Sequence, residues 1–236
     1  MNSSVGAEEA KGLIPGDFTS NFGVFSNYTF RGISQTGDEP AIQGGIDYSI
    51  GLNKDVSLYL GVWGSNVDFS DSDDASVEMD WYGGFSGAYK GVDVSLGVIY
   101  YSYPGALDSA NYDFFEGNIA LGYAINDKVS LGFGYNGTSE NFGKSGSAHY
   151  FNGSVSYAVP ISAVDLTFDA NIGHQSIEKE AVFGVPDYWD WKIGASLALT
   201  KNIALNAFYT DTDITATECG SENCDARGQL SLTASF

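Results

Sequence analysis

The chain has 236 residues, with 10 Lys and Arg against 30 Asp and Glu, a formal net charge of −20. That surplus excludes nucleic acid as a partner, because phosphate binding needs basic patches. Charged residues are only 17%, Gly reaches 30, Tyr and Phe 15 each and Trp 4. No apolar run approaches the roughly 18 residues of a membrane helix, which leaves a β-rich chain with dispersed apolar residues.

Residues 1–16, with Glu8, Glu9 and Gly12, read as a short N-terminal leader on the periplasmic side. Met1-Asn2-Ser3-Ser4 lacks the basic start and apolar core of an export signal, so the chain reads as already processed. From residue 17 onward, side chains alternate apolar and polar almost everywhere. Val56, Leu58, Leu60 and Val62 interleave with Ser57, Tyr59, Gly61 and Trp63; Val164, Leu166, Phe168, Ala170 and Ile172 interleave with Asp165, Thr167, Asp169, Asn171 and Gly173. Turn residues divide the pattern into twelve predicted strands, at 17–31, 40–51, 55–68, 76–89, 92–103, 111–123, 128–137, 147–158, 163–175, 187–199, 202–213 and 226–236. Their connectors are alternately short and long. That is the arrangement twelve antiparallel strands give when both termini lie at the short-turn end.

A soluble sandwich or lipocalin-like barrel would turn its polar face to water, and that face should then be rich in Lys and Glu. Here it offers mostly Gly, Ser, Thr, Asn and scattered Asp, which suit a confined interior. Aromatic residues gather near both ends of the apolar stripes. Phe18, Tyr48, Tyr89, Tyr123, Tyr157 and Phe236 lie towards the short turns, and Phe30, Trp81, Trp189 and Trp191 towards the loops. Two such girdles around a Val/Leu/Ile band belong at lipid–water interfaces. The expected fold is therefore all-β: a transmembrane antiparallel up-and-down β-barrel of 12 strands at 17–236, with both termini periplasmic. Twelve strands tilted by about 40° give a backbone radius of roughly 12 Å.

The stretches Ser26–Thr36, Pro40–Tyr48, Leu60–Phe69, Asp80–Gly84 and Gly97–Gly105 resemble the TorF-type porin family, also called Gcw_chp. The likeness is most specific over residues 24–123 and collinear to the end. Phe236, with apolar residues at alternate positions before it, resembles the C-terminal assembly signal of outer-membrane barrels. The resemblance implies an outer-membrane channel of Gram-negative bacteria. It transfers neither a substrate nor a functional residue.

Parity along the stripes puts Asp47, Glu78, Asp80, Asp93, Glu116, Asp165, Asp169 and Asp190 on the inward face, with Arg31 and Lys192 as the inward cations. Carboxylates in a low-dielectric-walled pore attract cations and repel anions. The expected function is a porin-like, cation-preferring channel for small solutes, lined by Arg31, Asp47, Asp80, Glu116, Asp169, Asp190 and Lys192. The inward Tyr59, Trp63, Tyr82, Tyr101, Phe114 and Tyr188 narrow it. The alternative is a structural or adhesive barrel with a plugged lumen, in which the same charges pair across the interior and the loops bind partners.

Cys219 and Cys224, five residues apart, read as a loop disulfide of an oxidising compartment; the two histidines, His149 and His174, supply no metal set beside them. No cofactor motif is present. The acidic run from Asp68 to Asp74 makes Asp71, Asp73 and Asp74 weak candidates for a divalent cation or for bridging to lipopolysaccharide phosphates. Solvation of the loop is the simpler reading. Ser147 and His149 share a presumed lipid-facing side, as do the serine and histidine of the twelve-stranded outer-membrane phospholipase. The order here is Ser-x-His against His-x-Ser, and no asparagine is placed to orient the ring, so no enzyme is expected. Gly44-Gly45 and Gly83-Gly84, inside strands, suggest bulges or tight curvature. The expected surroundings are outer-membrane lipid and lipopolysaccharide, small solutes or cations, and a second copy if the barrel oligomerises.

Overall fold

The computed structural model describes residues 14–69, 73–161 and 164–236; most of the predicted leader, and Asp71, lie outside them. Fourteen strands are present among these residues: β1 (Asp17–Phe25), β2 (Thr29–Phe30), β3 (Ile33–Ser34), β4 (Ala41–Gly51), β5 (Val56–Asn66), β6 (Val77–Tyr89), β7 (Val92–Ser102), β8 (Phe114–Ala124), β9 (Val129–Thr138), β10 (Ala148–Ala158), β11 (Leu166–Ile177), β12 (Tyr188–Ala198), β13 (Ile203–Thr212) and β14 (Arg227–Ser235). Twelve close into an antiparallel barrel in which each strand pairs with its neighbours in sequence, and β1 seals the seam against β14 from Asn21↔Ser235 to Phe25↔Ser231. Strands β2 and β3 form a separate two-stranded hairpin.

The distribution of burial is the reverse of a soluble protein's. Among the described residues, the largest side chains withdrawn almost completely from solvent are Glu78 and Glu116, at 2% and 1% exposure, whereas Ile46, Leu60, Trp81, Phe85, Phe115, Ile172 and Leu230 are each about half exposed or more. Each such apolar chain left in water forfeits about 1.5–3 kcal/mol, so a continuous belt of them needs a hydrocarbon solvent. The period of two in each strand does the rest: apolar residues point to lipid and their polar neighbours into the lumen. Tyr48, Tyr89, Tyr123, Tyr157 and Phe236 end the outward stripes towards the short turns, and Trp81 and Trp189 end them towards the loops.

Three expectations fail at the level of single elements. Strand β1 stops at Phe25 rather than at residue 31, because the chain turns inward after Ser26, whose amide makes one last ladder bond to the Leu230 carbonyl at 2.9 Å. Phe30 is therefore not in a lipid-facing girdle; its ring packs edge-on against the inward Tyr101 at 5.8 Å. Asp165 lies in the connector before β11, where its carbonyl accepts from Ala198 at 2.9 Å, so strand parity does not place it in the lumen.

Of the two readings of the glycine pairs, the bulge does not hold. Pairing runs unbroken through Gly44↔Gly64, Gly45↔Trp63, Gly83↔Leu60 and Gly84↔Tyr59, so no bulge occurs there. The inward glycines make room for tyrosines instead. A Cβ on Gly61 would strike the Tyr82 ring and, at 2.6 Å, the Asp47 carboxylate; one on Gly84 would meet the Leu96 carbonyl and, at 2.7 Å, the Tyr59 hydroxyl.

Candidate functional site: a lumen plugged from one end

The segment 26–40, expected to be strand and loop, folds back into the barrel mouth. Its turn is Arg31-Gly32 with φ of 48° and 81°, the left-handed pair of a type I′ hairpin. Gly32 suits the second position twice over. It takes the positive φ without strain, and a Cβ there would meet Thr212 Cγ2 at 2.5 Å and Asp190 Cβ at 2.9 Å on the barrel wall. Polar side chains fix the base of the hairpin. Ser34 and Thr36 hydroxyls donate to Asn27 Oδ1 at 2.9 and 3.1 Å, Asn27 Nδ2 donates to Asp38 at 2.6 Å, and Asp38 pairs with Arg227 of β14 at 2.8 Å.

From the hairpin tip Arg31 reaches across the lumen. Its Nη2 donates to Glu116 Oε2 of β8 and its Nη1 to Gln175 Oε1 of β11, both at 2.7 Å, while the guanidinium carbon lies 4.5 Å from the Phe30 and Tyr150 ring centres. Tyr101 donates to the same Glu116 oxygen at 3.1 Å. Two further bonds tie the hairpin to the wall: Tyr28 OH to Glu78 at 2.9 Å, and Gln229 Nε2 to Thr29 Oγ1 at 3.2 Å. Above the hairpin the long loops close over it. Phe69, Tyr103, Tyr112 and Phe142 pack ring against ring, the last two stacked at 4.1 Å. On the other side Ile33 meets a cluster of Ile177, Val185, Tyr188, Ile214 and Cys224, in the region where Cys219 and Cys224 are joined by a disulfide.

Burial along each inward stripe consequently changes from one end to the other. On β10, Ala148 and Tyr150 are buried, Asn152 is half-buried and Ser154 exposed; on β8, Phe114 and Glu116 are buried, Asn118 half-buried and Ala120 exposed; on β12, Tyr188 and Asp190 are buried and Lys192 exposed. The loop half of the lumen is filled and the short-turn half is open. A cavity of about 630 Å³ rises along the β10–β14 wall to the underside of the hairpin, lined by Ser154, Ser156, Asn171, Asn206, Thr210 and Ser231 among others. Across the lumen, Tyr82 donates to Asp47 at 2.5 Å and Ser95 to Tyr59 at 3.1 Å, occupying the β4–β7 side.

Asp47, Asp80, Glu116, Asp169, Asp190 and Lys192 all sit at inward positions of barrel strands, but Arg31 sits on the hairpin and not on the wall. Asp169 accepts from Ser156 at 2.5 Å, Asp190 from Tyr150 at 3.2 Å, and Lys192 Nζ lies 5.2 Å from the Phe208 ring. The charges are not brought to one ring. Glu116 and Asp80 belong to the plugged half, whereas Asp169 and Lys192 face open space. Gln175, Tyr28 and Tyr150, which hold the plug, carried no charge or motif to single them out; the one available signal was the Arg31-Gly32 dipeptide ahead of Gly37-Asp38.

The weaker constellations separate. Ser147 Oγ donates to Glu178 at 2.9 Å, whereas His149 Nδ1 lies 2.9 Å from the Tyr135 hydroxyl, so the serine and the histidine serve different partners. Two bonds from Ser147, amide first and hydroxyl second, hold the Glu178 carboxyl below its ordinary range. Asp73 accepts from Tyr112 at 3.0 Å and Asp74 stands in a left-handed turn at φ 59°. Among the described residues no group of three acidic, His or Cys side chains has a geometry that would hold a metal ion.

A closed twelve-stranded barrel, apolar outside and polar within, defines the outer-membrane porin-like class of fold. Residues 9–236 match the family described as a bacterial protein of unknown function (Gcw_chp), and the chain belongs to that family. Among solved structures it is similar to the COG4313 outer membrane channel from Pseudomonas putida F1, at 9% identity and TM-score 0.57 over 98% of this chain and 100% of that one. The NanC porin is similar at 12% identity and TM-score 0.56, over 93% and 99% of the two chains. The KdgM porin, solved in complex with disordered oligogalacturonate, is similar at 8% identity and TM-score 0.51, over 93% and 98%. At these identities the likeness is one of fold. No curated protein matches the chain.

Proposed function

We propose that this protein is a channel of the bacterial outer membrane for passive diffusion of small hydrophilic solutes and ions, favouring cations, and that the hairpin 26–40 occludes its outer half at rest. The observation that carries the reading is an open, hydroxyl- and carboxylate-lined half-lumen inside an exterior built for lipid. The alternation of short turns with long loops supports periplasmic termini and outward loops, and acidic loops there can meet lipopolysaccharide through divalent ions. No step is catalytic. Seven inward acidic residues (Asp47, Glu78, Asp80, Asp93, Glu116, Asp169, Asp190) stand against two cations, Arg31, which is paired with Glu116, and Lys192; such a surplus gives the lumen a negative potential, which favours entry of cations and opposes that of anions. An anionic saccharide of the kind held by the KdgM porin is a poor fit for such a pore.

One observation favours a second reading, a permanently plugged barrel whose loops serve as a binding surface: the hairpin is latched by a buried ion pair and covered by packed aromatic rings. Planar-bilayer recording separates the two. A latched channel shows rare openings that become frequent when residues 27–37 are replaced by a short Gly-Ser link, with reversal potentials favouring K⁺ over Cl⁻. A barrel that stays silent in both forms is structural, and one that prefers Cl⁻ has its lumen charges misassigned.

A further inference from the structure

The hairpin and the long loops enclose a second cavity, on the far side of the plug from the lumen. Two apolar clusters meet over the hairpin without filling the space between them. Phe30, Phe69 and Phe142 bound that space from one cluster, and Ile33, Phe183 and Val185 from the other. All of these except Val185 are only half-buried, so apolar surface remains uncovered around the gap. The cavity measures about 230 Å³. Its lining includes the exposed Gly184 and Ser221, which places an entrance on the loop side. Arg31 is the one charged residue among those lining it. Arg31 alone also lines the lumen cavity beneath, so the guanidinium marks the boundary between the two spaces. Its charge is already met by Glu116.

A concave apolar surface that water reaches but cannot hydrogen-bond favours an apolar occupant, and aromatic walls receive a further ring edge-on or offset. Size sets one limit. An apolar cavity of about 150 Å³ is enough for one benzene, so this one takes a single ring with a short substituent. Charge sets the other. Among the described residues no carboxylate lines the cavity to hold an ammonium, and its one cation is spent on Glu116, so a charged solute would lose water without gaining a counterion. We propose that this outer cavity binds a small uncharged aromatic molecule, one ring bearing a group the size of a hydroxymethyl, which enters from the loop side. Phe30 and Ile33 of the hairpin form part of the wall and loop residues the rest, so the site exists only while the plug is docked. An occupant therefore favours the closed form. At ten times its dissociation constant it raises the docked population over the undocked one by about elevenfold. The binding rests on the cavity alone, and the effect on closure rests on the channel reading.

The test is a methyl NMR titration of the full chain in lipid nanodiscs with benzyl alcohol, benzoate, benzylamine and glycerol as probes. The methyls of Ile33 and Val185 report the cavity, and those of Ile46, Ile172 and Ile193, exposed on the lipid face, report partition into the bilayer. Benzyl alcohol shifts the first pair along a saturating curve while the lipid-facing methyls drift linearly. Benzoate and benzylamine bind about tenfold more weakly or worse, and glycerol leaves both sets unmoved. Val185→Trp fills the cavity and abolishes saturation at Ile33, and Phe183→Ala, which takes a ring from the wall, weakens it severalfold. Replacing residues 27–37 by the Gly-Ser link abolishes saturation at Val185. The wild-type probe series stands whether or not a variant folds. Equal binding of benzoate or benzylamine and benzyl alcohol, shifts that never saturate, or saturation that survives Val185→Trp overturns the site. In planar bilayers, saturating benzyl alcohol lowers the open fraction of the wild type and not that of Val185→Trp; an unchanged or higher wild-type fraction overturns the link to closure. Saturable binding to a barrel that never conducts keeps the site and rejects the channel, and conduction without saturable binding does the reverse.

Discussion

Replacing Arg31 by Met removes the charge that latches the hairpin while keeping most of its apolar stem. Glu116 is then left as a carboxylate at 1% exposure, with Oε1 already unpartnered and only the Tyr101 hydroxyl on Oε2. Removing one member of a buried ion pair costs about 3–5 kcal/mol, most of it from the stranded charge. Loss of the guanidinium from between Phe30 and Tyr150 adds about 0.5–2 kcal/mol. The barrel wall is untouched, so this cost falls on docking of the hairpin. At 1.4 kcal/mol per decade, even the lower figure of about 3 kcal/mol raises the undocked population more than a hundredfold. Single-channel recording reads that population directly as the fraction of time open. Removing the stranded charge as well, in Arg31→Met/Glu116→Gln, restores most of the closed time, because the buried carboxylate and not the missing contact carries the larger part of the cost. An Arg31→Met barrel that folds and stays as silent as wild type refutes the latch. A double variant more open than the single one refutes the charge argument.

Three further outcomes follow from the same geometry. Gly61→Ala drives a methyl into the Tyr82 ring and the Asp47 carboxylate, and the repacking costs about 1–3 kcal/mol, read as a lower urea midpoint in detergent, while Gly153→Ala, with open space at its Cβ, leaves the midpoint unchanged. Cys219→Ser/Cys224→Ser releases a six-residue ring worth about 2 kcal/mol of chain entropy; faster amide exchange is expected across 213–226 with the barrel strands unchanged. Glu178 titrates below the ordinary carboxylate range because Ser147 donates to its charged form, so its contribution to holding loop 178–187 is complete above the unfolded-state value and fades as pH falls through the lower folded one. Carbon-detected NMR titration reads this, and Ser147→Ala moves the Glu178 midpoint upward.

The barrel was legible because its signal is redundant. Twelve alternating stripes, each with an apolar phase set by several residues, fix strand positions to within a few residues and give every inward carboxylate of β4–β12 the right face except Asp165, which falls just outside its strand. The plug was not legible for the same physical reason. Phe18, Phe22, Val24, Tyr28 and Phe30 continue one apolar parity, and nothing in that spacing distinguishes a ring that meets lipid from one that meets Tyr101. What ends β1 is a set of neutral side chains, Asn27, Ser34 and Thr36, whose bonds form only after the chain has folded back. Arg31 was singled out by its charge and misplaced by its assumed strand. Gln175 and Tyr150, which receive it, look like any other polar residues of a confined interior.

Spin-label scanning along β10 in lipid vesicles tests the inside-out arrangement and the one-sided plug together. Labels at 151, 155 and 157 should relax with lipid-soluble oxygen, and labels at 154 and 156 with a water-soluble nickel chelate, while the label at the inward position 150 responds weakly to both because the hairpin lies over it. Nickel accessibility in the odd-numbered phase, or equal accessibility from 150 to 156 on the inward face, contradicts the account.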